Sequence, residues 1–272
     1  MRFLYNMPAI LHKGALIIGD IHFGMEGKLK QRGIFSNDFS ERLAEKIIAL
    51  LKKTKARKLI ILGDVKEDIT YLDEYTIRAF EMIKKEFGKK RDCNIKEFKC
   101  KNEFEGNKRK NELEGKKDFE IIIVRGNHDG GIEGLGLKVV PSEGFVYKGI
   151  GLVHGHSWPS EECMNAEYII SAHQHPQIEF FDLMKKRHVE QVWVIADANR
   201  RTMSEHYKKL NKKIKLILIP AFNPIVGNPI KNELKSNLGP ILNNKLFKWN
   251  DANVYRLNGV AVGKLSRILR CA

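Results

Sequence analysis

Short apolar runs rich in β-branched residues alternate along the chain with longer stretches whose apolar positions recur every three or four residues. The short runs predict strands at ALIIGDIH (15–22), KLIILGDV (58–65), FEIIIVRGN (119–127), EYIISAH (167–173), VEQVWVIAD (189–197) and KIKLILIP (213–220). Continuous apolarity over about four to eight residues marks a strand covered on both faces. FVYKGIGLVHG (145–155) predicts a hairpin whose second strand runs into a loop, and Asn258–Gly259 predicts a turn between two further strands. Between these runs, Phe39, Leu43, Ile47, Leu50 and Leu51 share one helical face behind Asn37 as a cap, and 71–87 reads as a second helix. Strand and helix in alternation predict an α/β domain without internal repeats.

One stretch breaks the rhythm. Residues 88–117 are dominated by Lys, Glu and Asn with few apolar positions. They are expected to project as a charged, mobile insertion, at about 88–118, from a single domain spanning 1–272.

Several of the predicted strands end in polar blocks: GDIH with Asp20 and His22, GDVK with Asp64, and GNHD with Asn127 and His128. Two later blocks are LVHGHSW, with His154 and His156, and SAHQHP, with His173 and His175; six of the nine histidines lie in these blocks. Sites in α/β folds gather where loops leave the carboxyl ends of strands, so the blocks are expected to meet. Residues at i and i+2 of an extended segment point to one side with backbones roughly 6.6 Å apart. His173 and His175 can therefore converge on one ion or a pair, although an isolated HxH also suits a polar strand end. A carboxylate can link two ions about 3.5–4 Å apart whereas an imidazole serves one, so carboxylates among several histidines suit one ion or a pair. Nitrogen and oxygen donors suit Mn, Fe or Zn, and the few carboxylates argue against calcium. Four cysteines without a CxxC pair give neither a disulfide framework nor a thiolate zinc site.

The net charge of +15 favours a polyanionic partner such as nucleic acid, although the abundance of Lys, Glu, Ile and Asn also fits a thermophile or an AT-rich genome. No apolar run approaches the roughly 20 residues that cross a bilayer, and the opening residues lack a signal-peptide pattern, so no membrane contact and a cytoplasmic location are expected.

In order along residues 15–176, the blocks D-x-H, GDVKE, GNHD, His154 and H-x-H resemble the calcineurin-like metallophosphoesterase family. The resemblance implies a four-layer αββα sandwich with two mixed β-sheets, and two divalent metal ions, Mn first and Fe, Zn or Ni as alternatives. It assigns Asp20, His22 and His175 to one ion, Asn127, His154 and His173 to the other, and Asp64 to both. His128 would lie outside the metals as general acid for the leaving oxygen, and His156 would either stand behind the ligands or face substrate. Two divalent ions, two Asp ligands and a bridging hydroxide leave about one positive charge, which draws in a phosphate ester and lets hydroxide attack phosphorus near neutral pH. The chain departs from the family at Glu67, where Asp is usual and Lys66 precedes it, and at Ala172, where Gly is usual and a different turn is expected.

The stretches DIHFGMEGKLKQRGI, HGHSWP and LIPAFNPIVG are similar to the SbcD-related branch of archaeal phosphoesterases and the ligase-associated endonuclease PdeM. They bring Phe23, Arg32, Trp158 and Asn223 forward as substrate-side candidates, each also readable as packing or loop structure. A phosphodiesterase or nuclease is thereby implied, with a phosphate ester or nucleic acid as substrate and a homodimer compatible with the fold. Alternatives are a phosphatase or cyclic-nucleotide phosphodiesterase on a small substrate, and a non-catalytic scaffold. The scaffold is disfavoured because His128 and every expected ligand are present.

Overall fold

The computed structural model describes residues 1–87, 119–230 and 238–271; the charged insertion expected at 88–118 lies outside the described residues. Among these, β1 (Arg2–Phe3), β2 (Ile10–His12), β3 (Ala15–Ile18), β4 (Lys58–Leu62), β5 (Glu120–Val124) and β6 (Lys138–Val140) form one sheet in that spatial order. β3 to β6 run parallel and β1 and β2 pair antiparallel at the edge. The second sheet holds β7 (Phe145–Tyr147), β8 (Ile150–Val153), β9 (Tyr168–Ser171), β10 (Pro176–Phe181), β11 (Arg187–Asp197), β12 (Lys215–Leu218), β13 (Asn228–Pro229), β14 (Asn253–Arg256) and β15 (Ala261–Lys264). Its order is β13-β10-β11-β12-β9-β8-β7, with β14 paired to β11 and β15 to β14. Parallel pairs (β8–β9, β9–β12) and antiparallel pairs (β7–β8, β10–β11, β11–β12) make this sheet mixed as well.

The continuous apolarity of the strands has a structural cause, since alternate residues serve two different cores. Leu16, Ile18, Leu59, Ile61, Ile121 and Ile123 pack outward against α2 (Phe39–Thr54) and α3 (Glu74–Phe87), which follow the short α1 (Glu26–Gln31). Their neighbours Ala15, Ile17, Ile60, Leu62, Ile122 and Val124 turn inward and meet Ile150, Leu152, Ile170, Trp193 and Ile217 of the other sheet. The far face of that sheet, through Val153, Ile169, Leu216 and Leu218, is covered by α4 (Glu161–Met164), α5 (Arg200–His206), α6 (Gly239–Asn243) and α7 (Leu265–Cys271). Three cores stacked between helix, sheet, sheet and helix make the αββα sandwich. No helix among the described residues is long and apolar enough to cross a membrane.

Element ends follow local hydrogen bonding. The expected cap Asn37 stands one residue early: α2 opens after Asp38, whose carboxylate is taken by Ser36 Oγ and Arg42 and caps no backbone N–H. α3 starts at Glu74, later than expected, because Asp73 accepts from the backbone N–H and the hydroxyl of Thr76. The predicted hairpin forms, turning through Lys148 and Gly149 at φ 49° and 90°.

Where β3 and β9 end, the two sheets come closest. A Cβ placed on Gly19 would sit 2.7 Å from the Cβ of Ala172, so the interface has room for one methyl there. Ala172 takes it, fully buried and with no left-handed backbone of its own; the sharp turn falls on His173 at φ 70°. The alanine therefore requires no unusual turn at its own position, only a glycine opposite. Gly19→Ala should cost about 1–3 kcal/mol through overpacking, and adding Ala172→Gly should restore most of it in chemical denaturation. Simple addition of the two losses would refute the coupling.

Candidate metal centre

Parallel strands in register deliver their C-terminal residues to one place. Ile18, Ile61 and Ile123 are partners across β3, β4 and β5, and just beyond them lie Asp20, Asp64 and Asn127. In the second sheet Val153 pairs with Ser171, which sets His154 beside the loop carrying His173 and His175. The loops leave their strands abruptly: Asp20, His22, Asp64, His173 and His175 all have left-handed backbone, at φ 52°, 49°, 47°, 70° and 44°. Such conformations cost non-glycine residues of the order of 1–3 kcal/mol each and persist only where the surroundings over-determine them. Here the surroundings are backbone hydrogen bonds, from His22 N–H to the Asp64 carbonyl (2.9 Å), Phe23 N–H to Val65 (2.8 Å) and Glu67 N–H to Phe23 (2.8 Å). The glycine of GNHD has a steric reason: a Cβ on Gly126 would run into the Asp64 backbone nitrogen.

All seven expected ligands meet. Donor atoms of Asp20, His22, Asp64 and His175 lie within 4.8 Å of one another, as do those of Asp64, His154 and His173, so Asp64 belongs to both groups. Its two oxygens divide: Oδ1 lies 3.4 Å from His154 Nε2, and Oδ2 lies 3.8 Å from His22 Nε2. On one side His175 Nε2 is 3.2 Å from Asp20 Oδ1. On the other, His154 Nε2 is 3.1 Å from both His173 Nδ1 and Asn127 Oδ1. His154 Nδ1–H donates to the Leu62 carbonyl at 2.8 Å, so Nε2 is the nitrogen turned to the cluster and can bind a cation once it gives up its own proton. The buried Nε2 of His22 has no hydrogen-bond partner in the protein, and that of His175 faces only the Asp20 carboxylate. Nitrogens turned onto buried carboxylates in this way make a cluster that could hold divalent cations.

The electrostatics agree. Asp20 and Asp64 are 0% and 2% exposed. Burial disfavours their charge, yet His175 and His154 hold Asp20 below the usual carboxylate range, and His154, His22 and the His128 N–H hold Asp64 far below it. His154 answers in kind: burial favours its neutral form, but Asp64 and Asp20 outweigh burial and push its pKa up to about 9. Burial, together with the positive His154, pushes His156 and His173 down to about 4. The buried carboxylates thus draw positive charge to this point.

His128 stands just outside. Its backbone N–H donates to Asp64 Oδ1 at 3.0 Å, and its Nδ1–H donates to the Glu67 carbonyl at 2.9 Å, leaving Nε2 as its free end. Glu67, where the family usually has Asp, braces the centre: Oε2 lies 2.7 Å from His22 Nδ1 and Oε1 pairs with Lys28. Lys66 is buried and donates to the Asp68 carbonyl. Among the substrate-side candidates, Phe23 packs on Phe80 in the helix-facing core. Asn223 is buried, donating to the Ile21 carbonyl and accepting from Ile225 N–H. Arg32 caps α1 in solvent, and Trp158 is exposed against His206. Sequence reasoning missed Asp129 and Lys28. Asp129 accepts from the N–H groups of Val65 and Gly126, both at 2.8 Å, and so ties the loops after β4 and β5 together. The fourth letter of GNHD was its signal.

The family model described as calcineurin-like phosphoesterase matches residues 15–228, which include every block of the centre. Among solved structures, the chain is similar to the nuclease MPE of Pseudomonas putida, at 17% identity over 90% of this chain and 84% of that one, with a TM-score of 0.45. It is also similar to Yfce, a phosphoesterase from E. coli, at 15% identity over 92% and 97% of the two chains, with a TM-score of 0.42. No curated protein matches it. With its strand-end blocks gathered into a cluster that could hold metal and the family model spanning most of its length, the chain belongs to the calcineurin-like phosphoesterase family of metal-dependent hydrolases.

Proposed function

We propose that the protein is a binuclear phosphodiesterase, a nuclease of the SbcD-related kind, with two divalent cations, manganese first among them. Asp20, His22 and His175 would hold one, Asn127, His154 and His173 the other, and Asp64 would serve both. The observation that carries this reading is the division of Asp64, whose two oxygens face different ligand groups. Cations seated there supply Lewis acidity toward a phosphate ester and lower the pKa of water.

The chain's own groups do the rest. His128, held through Nδ1 on the Glu67 carbonyl, keeps Nε2 free to hand a proton to the departing oxygen. Glu67 orients His22 as carboxylates orient metal-binding imidazoles elsewhere, and against the cost of burial His22 and Lys28 together hold that carboxylate below its usual range. Diester preference is supported by the surplus of 48 Lys and Arg over 33 Asp and Glu, which suits a polyanion better than a small monoester.

With manganese, bis(p-nitrophenyl) phosphate should be hydrolysed faster than the monoester, and single-stranded or plasmid DNA should be cut. Monoester preference would favour a small-molecule phosphatase instead, and inactivity on all of them with two metals bound would revive the scaffold. Asp64→Asn should lose both metals in elemental analysis. His128→Ala should keep them while kcat falls by roughly 10²-fold, the scale of lost acid catalysis; metal loss in His128→Ala would sink its role as acid.

Proton linkage gives a separate check. His154, with its pKa pushed up to about 9, carries a proton at pH 7 in the metal-free protein and must release it to bind a cation. Metal affinity should therefore rise between pH 7 and 9, by up to about tenfold per unit, and level off above. Calorimetry in buffers of different ionisation enthalpy should detect the released proton, and affinity flat across that window would contradict the assignment.

A further inference from the structure

Beyond His154 the chain leaves the centre through His156, Ser157 and Trp158. The His156 ring lies 5.1 Å from that of His154 and 6.1 Å from that of His173, so it borders the centre directly. Its Nδ1 and the Ser157 hydroxyl are buried without a hydrogen-bond partner, which makes this wall polar and unsatisfied. Trp158 follows, 42% exposed. Its ring is nevertheless held, 4.7 Å from the His206 ring and 6.2 Å from that of Tyr207, whose hydroxyl donates to the Pro159 carbonyl at 3.0 Å. A fixed indole face therefore stands two residues from the wall of the centre.

His206 is the last residue of α5, and at the other end of that helix the surface changes character. Arg200, Arg201, Lys212, Lys213, Lys215 and Lys248 line an open groove of about 720 Å³ in which Asp197 is the one carboxylate. Lys215 pairs with it at 2.6 Å. Arg201 pairs along α5 with Glu205 at 3.8 Å, and Arg200, Lys212, Lys213 and Lys248 are exposed with no carboxylate but Asp197 lining the groove. α5 spans about 10 Å, a distance that a short run of nucleotides covers. Screening limits the groove to charges within about 8 Å at physiological salt, so it acts on a backbone lying in it and little on a small ester at the metals.

We propose that the Trp158 face and the α5 groove form one path for a single nucleic-acid strand, with a base stacked on Trp158 while neighbouring phosphates lie along the groove. The proposal rests on the phosphodiesterase reading of the metal centre and names its substrate class. An acidic peptide or polyphosphate uses the cations but has no use for an indole face. A duplex keeps its bases stacked inside, so it engages the groove and not the ring.

Binding of a labelled oligothymidylate of about 12 nucleotides, a length within the range such sites cover, is measured by fluorescence anisotropy on the His128→Ala protein, with manganese and again in chelator. Trp158→Leu should weaken binding by about tenfold and Trp158→Phe by much less. Arg201→Glu with Lys213→Glu should weaken it at least as much and flatten the dependence of log K on log salt by about 1.4 or more. In the otherwise unaltered enzyme both variants should lower the ratio of oligonucleotide to bis(p-nitrophenyl) phosphate kcat/KM. Lys185→Glu with Lys186→Glu makes the same charge change in the turn at the opposite end of β11 and sets the reference. Equal weakening in that reference pair, wild-type affinity in Trp158→Leu, or a duplex bound as tightly as the single strand would each overturn the path. If the strand binds as expected but no phosphate ester is hydrolysed with manganese, the path stands and the reading of the metal centre falls.

Discussion

Two buried carboxylates set the terms for this structure. Asp20 and Asp64 lie in one group of donors that approach within 4.8 Å, both sealed from solvent. Unit charges about 4 Å apart interact by about 4 kcal/mol at an effective dielectric near 20, so the pair is tolerable only with positive charge or N–H donors aimed at it. The chain provides both. His173 N–H donates to both oxygens of Asp20, at 3.2 and 3.1 Å, and His128 N–H donates to Asp64. For those N–H groups to point inward the loops must turn sharply, which accounts for the left-handed backbone at Asp20, Asp64 and His173. Backbone strain at these positions is thus the counterpart of carboxylate burial.

A second tier of charge holds the first in place. Asp129, buried and with its pKa raised by burial and by the nearby Asp64, accepts two backbone N–H bonds that clamp the loops after β4 and β5. Glu67 reaches His22 with one methylene more than the aspartate usual at that position, and the pairing with Lys28 steers the longer arm. Lys28 stands in α1, so this small helix is anchored to the centre through a charge that no periodicity argument would single out.

Much of this was legible in the sequence because the signals were local. Strands buried on both faces write unbroken apolar runs, and the polar residue that ends such a run is conspicuous, which is how Asp20, Asp64, His128 and His154 stood out. The elements that escaped were those whose pattern is set by partners distant in sequence. β10 begins at a proline and passes from buried to exposed residues, and β1, β2, β6 and β13 are only two or three residues long. Asp129 escaped for a related reason: its clamp to Val65 joins residues 64 positions apart. The basic groove was invisible as a cluster because lysines are spread throughout the chain, and only the fold brings Arg200 and Arg201 beside Lys212, Lys213 and Lys248.

The two sheets do not contribute alike to the centre. The first supplies both carboxylates, Asn127 and His22; the second supplies His154, His173 and His175. Neither set is a site by itself, since the first alone has too few imidazoles and the second has no carboxylate. What joins them is the inter-sheet core of Ile17, Ile60, Leu62, Ile122, Ile170 and Trp193, directly beneath the strand ends, together with the Gly19–Ala172 contact that sets the spacing at its upper edge. Hydrophobic packing therefore fixes the gap between opposite halves of a charged pocket. Cations held in that gap would bind only the packed form, so their binding energy would add to the cohesion of the two sheets. The apolar core and the metal centre are in this sense one device, the first holding ligands at the spacing that the second requires.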